Sequence, residues 1–233
     1  MEQDKIFTTQ ELAKYLKLNE KTVIKMAQNG HLPGVKIGNQ WRFHLRAIDN
    51  FLLRDMVAAS QEELDSVISS DVDIFPLSRL TAHDLIKVDS KSLSSYDVLS
   101  ALSKIAYESG LTSSQENLLQ ELKKREDYLS TAISKGIAIP HPRHPSLELF
   151  KETKLIILLS KEGVDFDAPD RKPVYIFFMP CSPNEHIHIR LLAKISKFLQ
   201  FSKNIDTLMQ TKTKDEIMQA LMRFDREYMY IER

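Results

Sequence analysis

The chain has 233 residues, 42 % of them hydrophobic and 27 % charged, with 32 basic residues against 32 acidic ones and a single cysteine. That length suits one ordinary domain plus a smaller one; the composition predicts a soluble globular protein, and no apolar run reaches the ~18 residues a membrane-spanning helix needs. Cys181 alone excludes an internal disulfide and fits a reducing cytoplasm, and the start MEQDKIFTTQ lacks the basic-then-apolar pattern of a secretory signal.

The zero net charge hides an asymmetry. Residues 1 to 55 carry nine basic side chains against six acidic ones, whereas residues 56 to 80 hold only Arg79 against five acids. The acidic stretch, with its Ala-Ala-Ser-Gln-Glu-Glu run and Pro76, reads as a connector with loosely helical spacing at Met56, Leu64, Val67 and Ile68. The expected organisation is a small domain over 1–55, an acidic linker over 56–78 and a larger domain over 79–233.

Phe7-Thr8-Thr9-Gln10-Glu11-Leu12 is a helix start: Thr8 caps, Glu11 closes the capping box, and Phe7 staples against Leu12. The helix runs from Thr9 to about Lys17 with Leu12, Ala13, Tyr15 and Leu16 on its apolar face. After a short turn, Asn19 caps a second helix whose inward residues are Val23 with Met26 or Ala27, and Gly30 stops it. Lys21, Thr22, Lys25 and Gln28 point outward, side chains suited to phosphates and base edges.

A hairpin follows. Val35 and Ile37, then Trp41 and Phe43, alternate with polar residues around Gly38-Asn39, so the apolar four are expected on one face and Lys36, Gln40, Arg42 and His44 on the other. Leu45, Ile48, Phe51 and Leu52 predict a closing helix. A cationic hairpin beside two such helices suits a wing on a phosphate backbone or in a minor groove.

The segment TTQELAKYLKLNEKTVIKMAQNGHLPGVKIGNQWRFHLRAIDNFL resembles the excisionase and MerR-like winged helix-turn-helix family over about residues 6 to 53. The resemblance implies DNA binding. The competing reading is a protein-docking module with a solvated basic face; a homodimer would double its modest charge.

From Leu80 the pattern changes to helices over Val98 to Tyr107 and Gln115 to Tyr128, then strand-length apolar runs from Leu155 and Val174. The expectation is an α/β domain with a mixed sheet flanked by helices. Between helix and strand lies Pro140-His141-Pro142, at the end of the apolar run Ile137 to Ile139. Proline fixes its own φ and restricts the residue before it, so this imidazole is presented by a stiff backbone. A neutral imidazole is nucleophilic near pH 7 and can take a phosphoryl group reversibly. Arg143, Ser130 and Thr131 are candidates to stabilise the resulting anion.

A second cluster opens a helix at Asn184. His188, with Leu191, Leu192 and Ile195 at helical spacing, falls near the buried face; alone, it reads as a core histidine or as a site residue. His186 reads as an exposed neighbour, and His144 as an anion contact or inert. His141-x-x-His144 and His186-x-His188 have zinc-like spacing, but four histidines without cysteine or carboxylate make an unusual site, so no metal is expected. No cofactor is expected either: G-x-G-x-x-G, P-loop and G-x-S-x-G patterns are absent from the sequence.

The run RExxxST over Arg125 to Thr131, GIAIPH ending at His141, VDFDAPDRKPVYIFF from Val164 and HIRLLAKI from His188 resemble the enzyme IIA component of the bacterial sugar phosphotransferase system, in its fructose, mannitol and nitrogen-related branch, over about residues 79 to 233. The resemblance implies that His141 is phosphorylated, that His188 assists it, and that the donor is the histidine-containing phosphocarrier protein. Pro142 stands where the family often has glycine. Together the two resemblances imply a cytoplasmic regulator, with protein targets among its partners and no membrane insertion. Two alternatives stand beside it: a phosphocarrier subunit feeding a separate sugar permease, with the head docking protein, and a DNA binder whose second domain senses proteins without turnover.

Overall fold

A computed structural model describes residues 6–16, 18–28, 32–38, 40–50, 76–89, 91–211 and 213–231, and the chain divides into two compact units, 1–59 and 60–233. In the first unit the elements are β1 (Ile6–Thr8), α1 (Thr9–Leu16), α2 (Glu20–Gln28), β2 (Val35–Ile37), β3 (Gln40–His44) and α3 (Leu45–Asn50). The capping box forms as the sequence predicts: the Thr8 amide donates to Glu11 Oε2 at 2.8 Å and the Glu11 amide donates to Thr8 Oγ1 at 3.2 Å. Asn19 Oδ1 accepts the Thr22 amide at 2.8 Å and so starts α2. The core collects Phe7, Leu12, Ala13, Leu16, Val23, Ala27, Leu32, Phe43, Leu45 and Ile48. Gly30, Phe51 and Leu52, assigned above to a helix stop and to the closing helix, lie outside the described residues.

The wing differs from its expected faces. Val35 stands opposite Arg42, Lys36 opposite Trp41 and Ile37 opposite Gln40. Residues directly across a strand pair share a face, and a two-residue turn therefore matches odd positions of β2 with even positions of β3. Val35 and Ile37 join Gln40, Arg42 and His44 and are 64 % and 65 % exposed, while Lys36 joins Trp41 and Phe43. The alternation holds within each strand, but the two-residue turn sets the strands in opposite phase. Strand β1 was not foreseen either; its partner β3, with Phe7 opposite Phe43, is remote in sequence.

The second unit is built on a five-stranded mixed sheet in the order β4-β7-β8-β6-β5: β4 (Ile86–Asp89), β5 (Ala132–Ser134), β6 (Ile137–Ala138), β7 (Lys154–Val164) and β8 (Val174–Cys181). The pairs β4·β7 and β6·β8 are parallel, and β7·β8 and β5·β6 antiparallel. Helices α4 (Ser95–Glu108) and α5 (Gln115–Tyr128) precede β5, and α6 (Glu185–Gln200), α7 (Ser202–Gln210) and α8 (Lys214–Ile231) follow β8. The continuous apolar runs of β7 and β8 are explained by burial on both faces. Leu102, Leu118, Leu122, Phe150, Ile156, Leu158, Phe177 and Met179 belong to one core cluster. The tight β5–β6 turn is carried by Gly136 at φ +77°. Leu77, within the stretch read above as a linker, is fully buried in a single 3-10 turn, Leu77–Arg79, and Met56, Leu64, Val67 and Ile68 lie outside the described residues.

Candidate functional site

Strands β6 and β8 run parallel, so their carboxyl ends lie at the same end of the sheet. His141 stands three residues beyond β6. Beyond β8 the chain turns through Ser182 and Asn184 into α6, where Asn184 Oδ1 accepts the Ile187 amide at 3.0 Å and His188 occupies the first turn. Topology alone therefore brings the two histidines together: their ring centroids are 4.9 Å apart at an interplanar angle of 45°. Ligands of α/β sheets gather at such carboxyl ends.

The proton on His141 is located by its partner. Nδ1 lies 2.7 Å from the Ile139 carbonyl oxygen; a carbonyl can only accept, so Nδ1 carries the hydrogen and Nε2 the lone pair. Burial first, then His188 and the Arg125 guanidinium, push the His141 pKa well below its ordinary value. Burial, and after it Arg125, push His188 down to about 3. Both rings are thus neutral at pH 7. Neither ring nitrogen of His188 has a hydrogen-bond partner in the described structure, although one of them must bear a proton. A buried unpaired donor costs about 1–3 kcal/mol, and here it sits beside the nucleophilic ring.

Arg125 is the residue whose role sequence reasoning missed. It is 2 % exposed, in the last turn of α5, and its Nη1 donates to the Leu129 carbonyl at 2.6 Å. The signal was available: Leu118, Leu122 and Arg125 follow the i, i+4, i+7 spacing of the buried face, and a charge on that face is rare without a task.

Ser130 and Thr131 are buried next to this helix end, with their hydroxyl protons committed to the scaffold. Ser130 Oγ donates to the Phe166 carbonyl at 2.5 Å and accepts the Ala132 amide at 3.1 Å. Thr131 donates from both its amide, at 2.9 Å, and its hydroxyl, at 2.6 Å, to the two oxygens of Glu126. Burial raises the Glu126 pKa, opposed by these Thr131 bonds. In this geometry the two hydroxyls brace the loop between α5 and β5. The Arg143 guanidinium lies over the Tyr128 ring, 4.9 Å from its centroid, a cation–π contact that holds it near the same helix end. His144 Nδ1 is 3.1 Å from Glu185 Oε1, tying the loop after His141 to the start of α6. Among the described residues no group of three or more His, Cys, Asp or Glu is placed to hold a metal ion.

In the first unit Lys21, Lys25 and Gln28 are exposed along α2, as the helical spacing predicts. The Thr22 hydroxyl, half-buried, donates to Asn19 Oδ1 at 3.0 Å. Lys36 is exposed, on the Trp41 side of the wing. Arg42 is half-buried, with Nη2 on Gln40 Oε1 at 2.6 Å and Nη1 on the Trp41 carbonyl at 3.0 Å.

Residues 79–223, more than half of the chain, match the family described as phosphoenolpyruvate-dependent sugar phosphotransferase system, EIIA 2, and residues 6–56 match a helix-turn-helix domain. The chain belongs to the EIIA 2 family. Its EIIA domain is 26 % identical over 153 residues to the fructose-specific EIIA component of the phosphotransferase system from Haloferax volcanii, a match covering 64 % of this chain and 97 % of the relative. It is 28 % identical over 149 residues to the mannitol-specific phosphotransferase enzyme IIA component of Staphylococcus aureus, covering 64 % of this chain and 99 % of that one. Among solved structures, nitrogen regulatory protein IIA-Ntr from Neisseria meningitidis superposes with a TM-score of 0.55 at 23 % identity, over 62 % of this chain and 97 % of its own, and shares the EIIA fold. Both family resemblances drawn from the sequence hold, as does the fold class of a small helix-turn-helix unit followed by a mixed sheet with helices. No helix among the described residues is long and apolar enough to cross a membrane.

Proposed function

We propose that this chain is a cytoplasmic regulator in which the EIIA domain takes a phosphoryl group on His141 and the helix-turn-helix head binds DNA. The observation that carries the reading is the Nδ1–H bond from His141 to the Ile139 carbonyl, which leaves Nε2 unprotonated beside His188. The donor is the histidine-containing phosphocarrier protein. The Nε2 lone pair attacks phosphorus, the donor's N–P bond breaks, and its electron pair returns to the donor imidazole. No proton has to move when the donor ring holds one on its other nitrogen: the donor leaves as a neutral imidazole, and His141, still protonated at Nδ1, becomes the N-phosphorylated imidazolium. The transferred dianion meets the His188 donor, the Arg143 guanidinium and the positive end of α6, and the Arg125 guanidinium, which acts on both rings, attracts it. Ser130 and Thr131 act through the loop they brace.

For the head, Lys21, Lys25 and Gln28 on one exposed helix face, with Arg42 on the wing, support DNA contact. The second reading, a phosphocarrier that passes its group to another protein, is favoured by the 97 % and 99 % coverage of the fructose and mannitol EIIA components. One solved relative is a complex of mannitol enzyme IIA with phosphorylated enzyme IIB from Escherichia coli. Two assays on the full chain decide the matter. Phosphoenolpyruvate, the general phosphotransferase enzymes and the carrier protein should place an acid-labile phosphate on the wild type and none on folded His141→Ala. Titration with genomic DNA fragments at two salt concentrations should show salt-dependent binding. Labelling of His141→Ala sinks the acceptor assignment, and labelling without any DNA binding leaves the carrier reading in place of the regulator.

A further inference from the structure

Residues just before and just after the family-matched span 79–223 meet in a clamp. Asp225, near the middle of α8 and 6 % exposed, accepts the Leu77 amide on Oδ1 at 2.8 Å and the Ser78 amide on Oδ2 at 2.7 Å. Those two amides open the 3-10 turn Leu77–Arg79, at the carboxyl end of the stretch that the sequence reads as a linker. Leu77, Ser78, Phe224 and Asp225 all lie just outside the span 79–223 that the family match covers, so the clamp is built where the shared domain stops. The first turn of α8 adds two bonds to the same entry segment: Lys214 Nζ donates to the His83 carbonyl at 2.7 Å, and Asp215 Oδ1 lies 2.9 Å from His83 Nε2.

The clamp and the histidine pair lie at the two ends of a path formed by helix α6 and an aromatic cluster at its carboxyl end. His188 stands in the first turn of α6, and Phe198 and Phe201 lie at the far end of that helix. Phe224 makes ring contacts with both, at 5.1 Å and 5.8 Å between centroids, and Phe178 of the sheet packs on Phe198 at 6.1 Å. Phe224 is the residue before Asp225. A dianion arriving at the amino end of α6 acts on the helix dipole and on His188 together. Close-packed interiors answer such a pull by switching between discrete arrangements instead of deforming smoothly.

We propose that α6 and the Phe198–Phe201–Phe224 cluster relay the phosphorylation state of His141 to the Asp225 clamp, and so to the point where the connector joins the domain. The inference rests on the proposed phosphorylation of His141 and goes beyond it by naming the element that responds. It is tested on the full chain by amide hydrogen exchange at Leu77 and Ser78, with and without the phosphate. In the wild type, phosphorylation should change exchange at both amides by about tenfold, a usual size for coupling between two sites. Phe224→Leu should take the phosphate at the wild-type rate, keep both amides protected, and lose that response. Asp225→Asn, which keeps the side-chain size and one accepting oxygen, should raise exchange at one or both amides in either state and shrink the response likewise. Equal exchange in phosphorylated and unphosphorylated wild type overturns the relay while leaving the acceptor assignment standing. A full response in Phe224→Leu overturns the route through the aromatic cluster. A wild type that accepts no phosphate removes the relay together with the functional reading beneath it.

Discussion

Lowering the pH from 7.5 to 5.0 should destabilise the EIIA domain through its two buried histidines. In the unfolded chain each titrates near ~6.5, whereas in the fold His188 is held down at about 3 and His141 well below its ordinary value, burial being the main cause for both. Between these values the unfolded state binds the extra proton. The stability each ring contributes is therefore complete above the unfolded pKa and drains away as pH falls towards the folded one. The loss is about 1.4 kcal/mol per pH unit for His188 once the pH is below ~6.5, so about 2 kcal/mol by pH 5, and His141 adds a loss of the same sign. Against a total stability of roughly 5–15 kcal/mol that is a large effect. Urea unfolding followed by far-ultraviolet circular dichroism reads mainly the helices of the larger unit, while the single tryptophan, Trp41, reports on the head. His188→Leu should lose about 2 kcal/mol less than the wild type over the same range. Glu126, whose raised pKa contributes with the opposite sign, is common to both proteins and drops out of the difference. Equal pH dependence in the wild type and His188→Leu would refute the claim that a neutral, buried His188 belongs to this site.

Two further changes test the head. Gly34→Ala would place its Cβ 2.6 Å from the ring of Phe43, which is fully buried, so the substitution should cost roughly 1–3 kcal/mol through overpacking, read as a lower midpoint in the tryptophan-monitored transition; an unchanged midpoint would contradict the packing of Gly34 on that ring. Arg42→Ala should weaken binding to all DNA sequences and flatten the salt dependence by about one phosphate's worth, and an unchanged slope would remove Arg42 from the interface.

The parts of the fold that could be read in the sequence are those set by local chemistry. The Thr8–Glu11 box and the Asn19 cap need only residues three apart, and the apolar runs of β7 and β8 announce strands covered on both faces. What stayed hidden is non-local. Strand β1 exists because Ile6 to Thr8 pair with residues thirty-odd positions later, and the exposure of Val35 and Ile37 follows from how one turn sets the register. The destinations of the Ser130 and Thr131 hydroxyls depend on Phe166, in a loop beyond β7, and on Glu126, one turn back. At the candidate site, His141 is singled out in the sequence by its two flanking prolines and by the GIAIPH resemblance, and its meeting with His188 follows from the parallel pairing of β6 and β8. Arg125 was overlooked because it was read as part of a run of letters and not as a charge standing on the apolar face of α5.

The central claim is that Nε2 of His141 is the phosphoryl acceptor, and the most direct test is to see which nitrogen of which ring carries phosphorus. Full-length protein labelled with nitrogen-15 in its histidines, phosphorylated by phosphoenolpyruvate and the carrier protein, would be followed by phosphorus and long-range proton–nitrogen NMR. One phosphohistidine signal is expected, coupled to Nε2 of His141, with Nδ1 still protonated against the Ile139 carbonyl. Phosphorus on Nδ1 of His141, or on any other histidine, would contradict it.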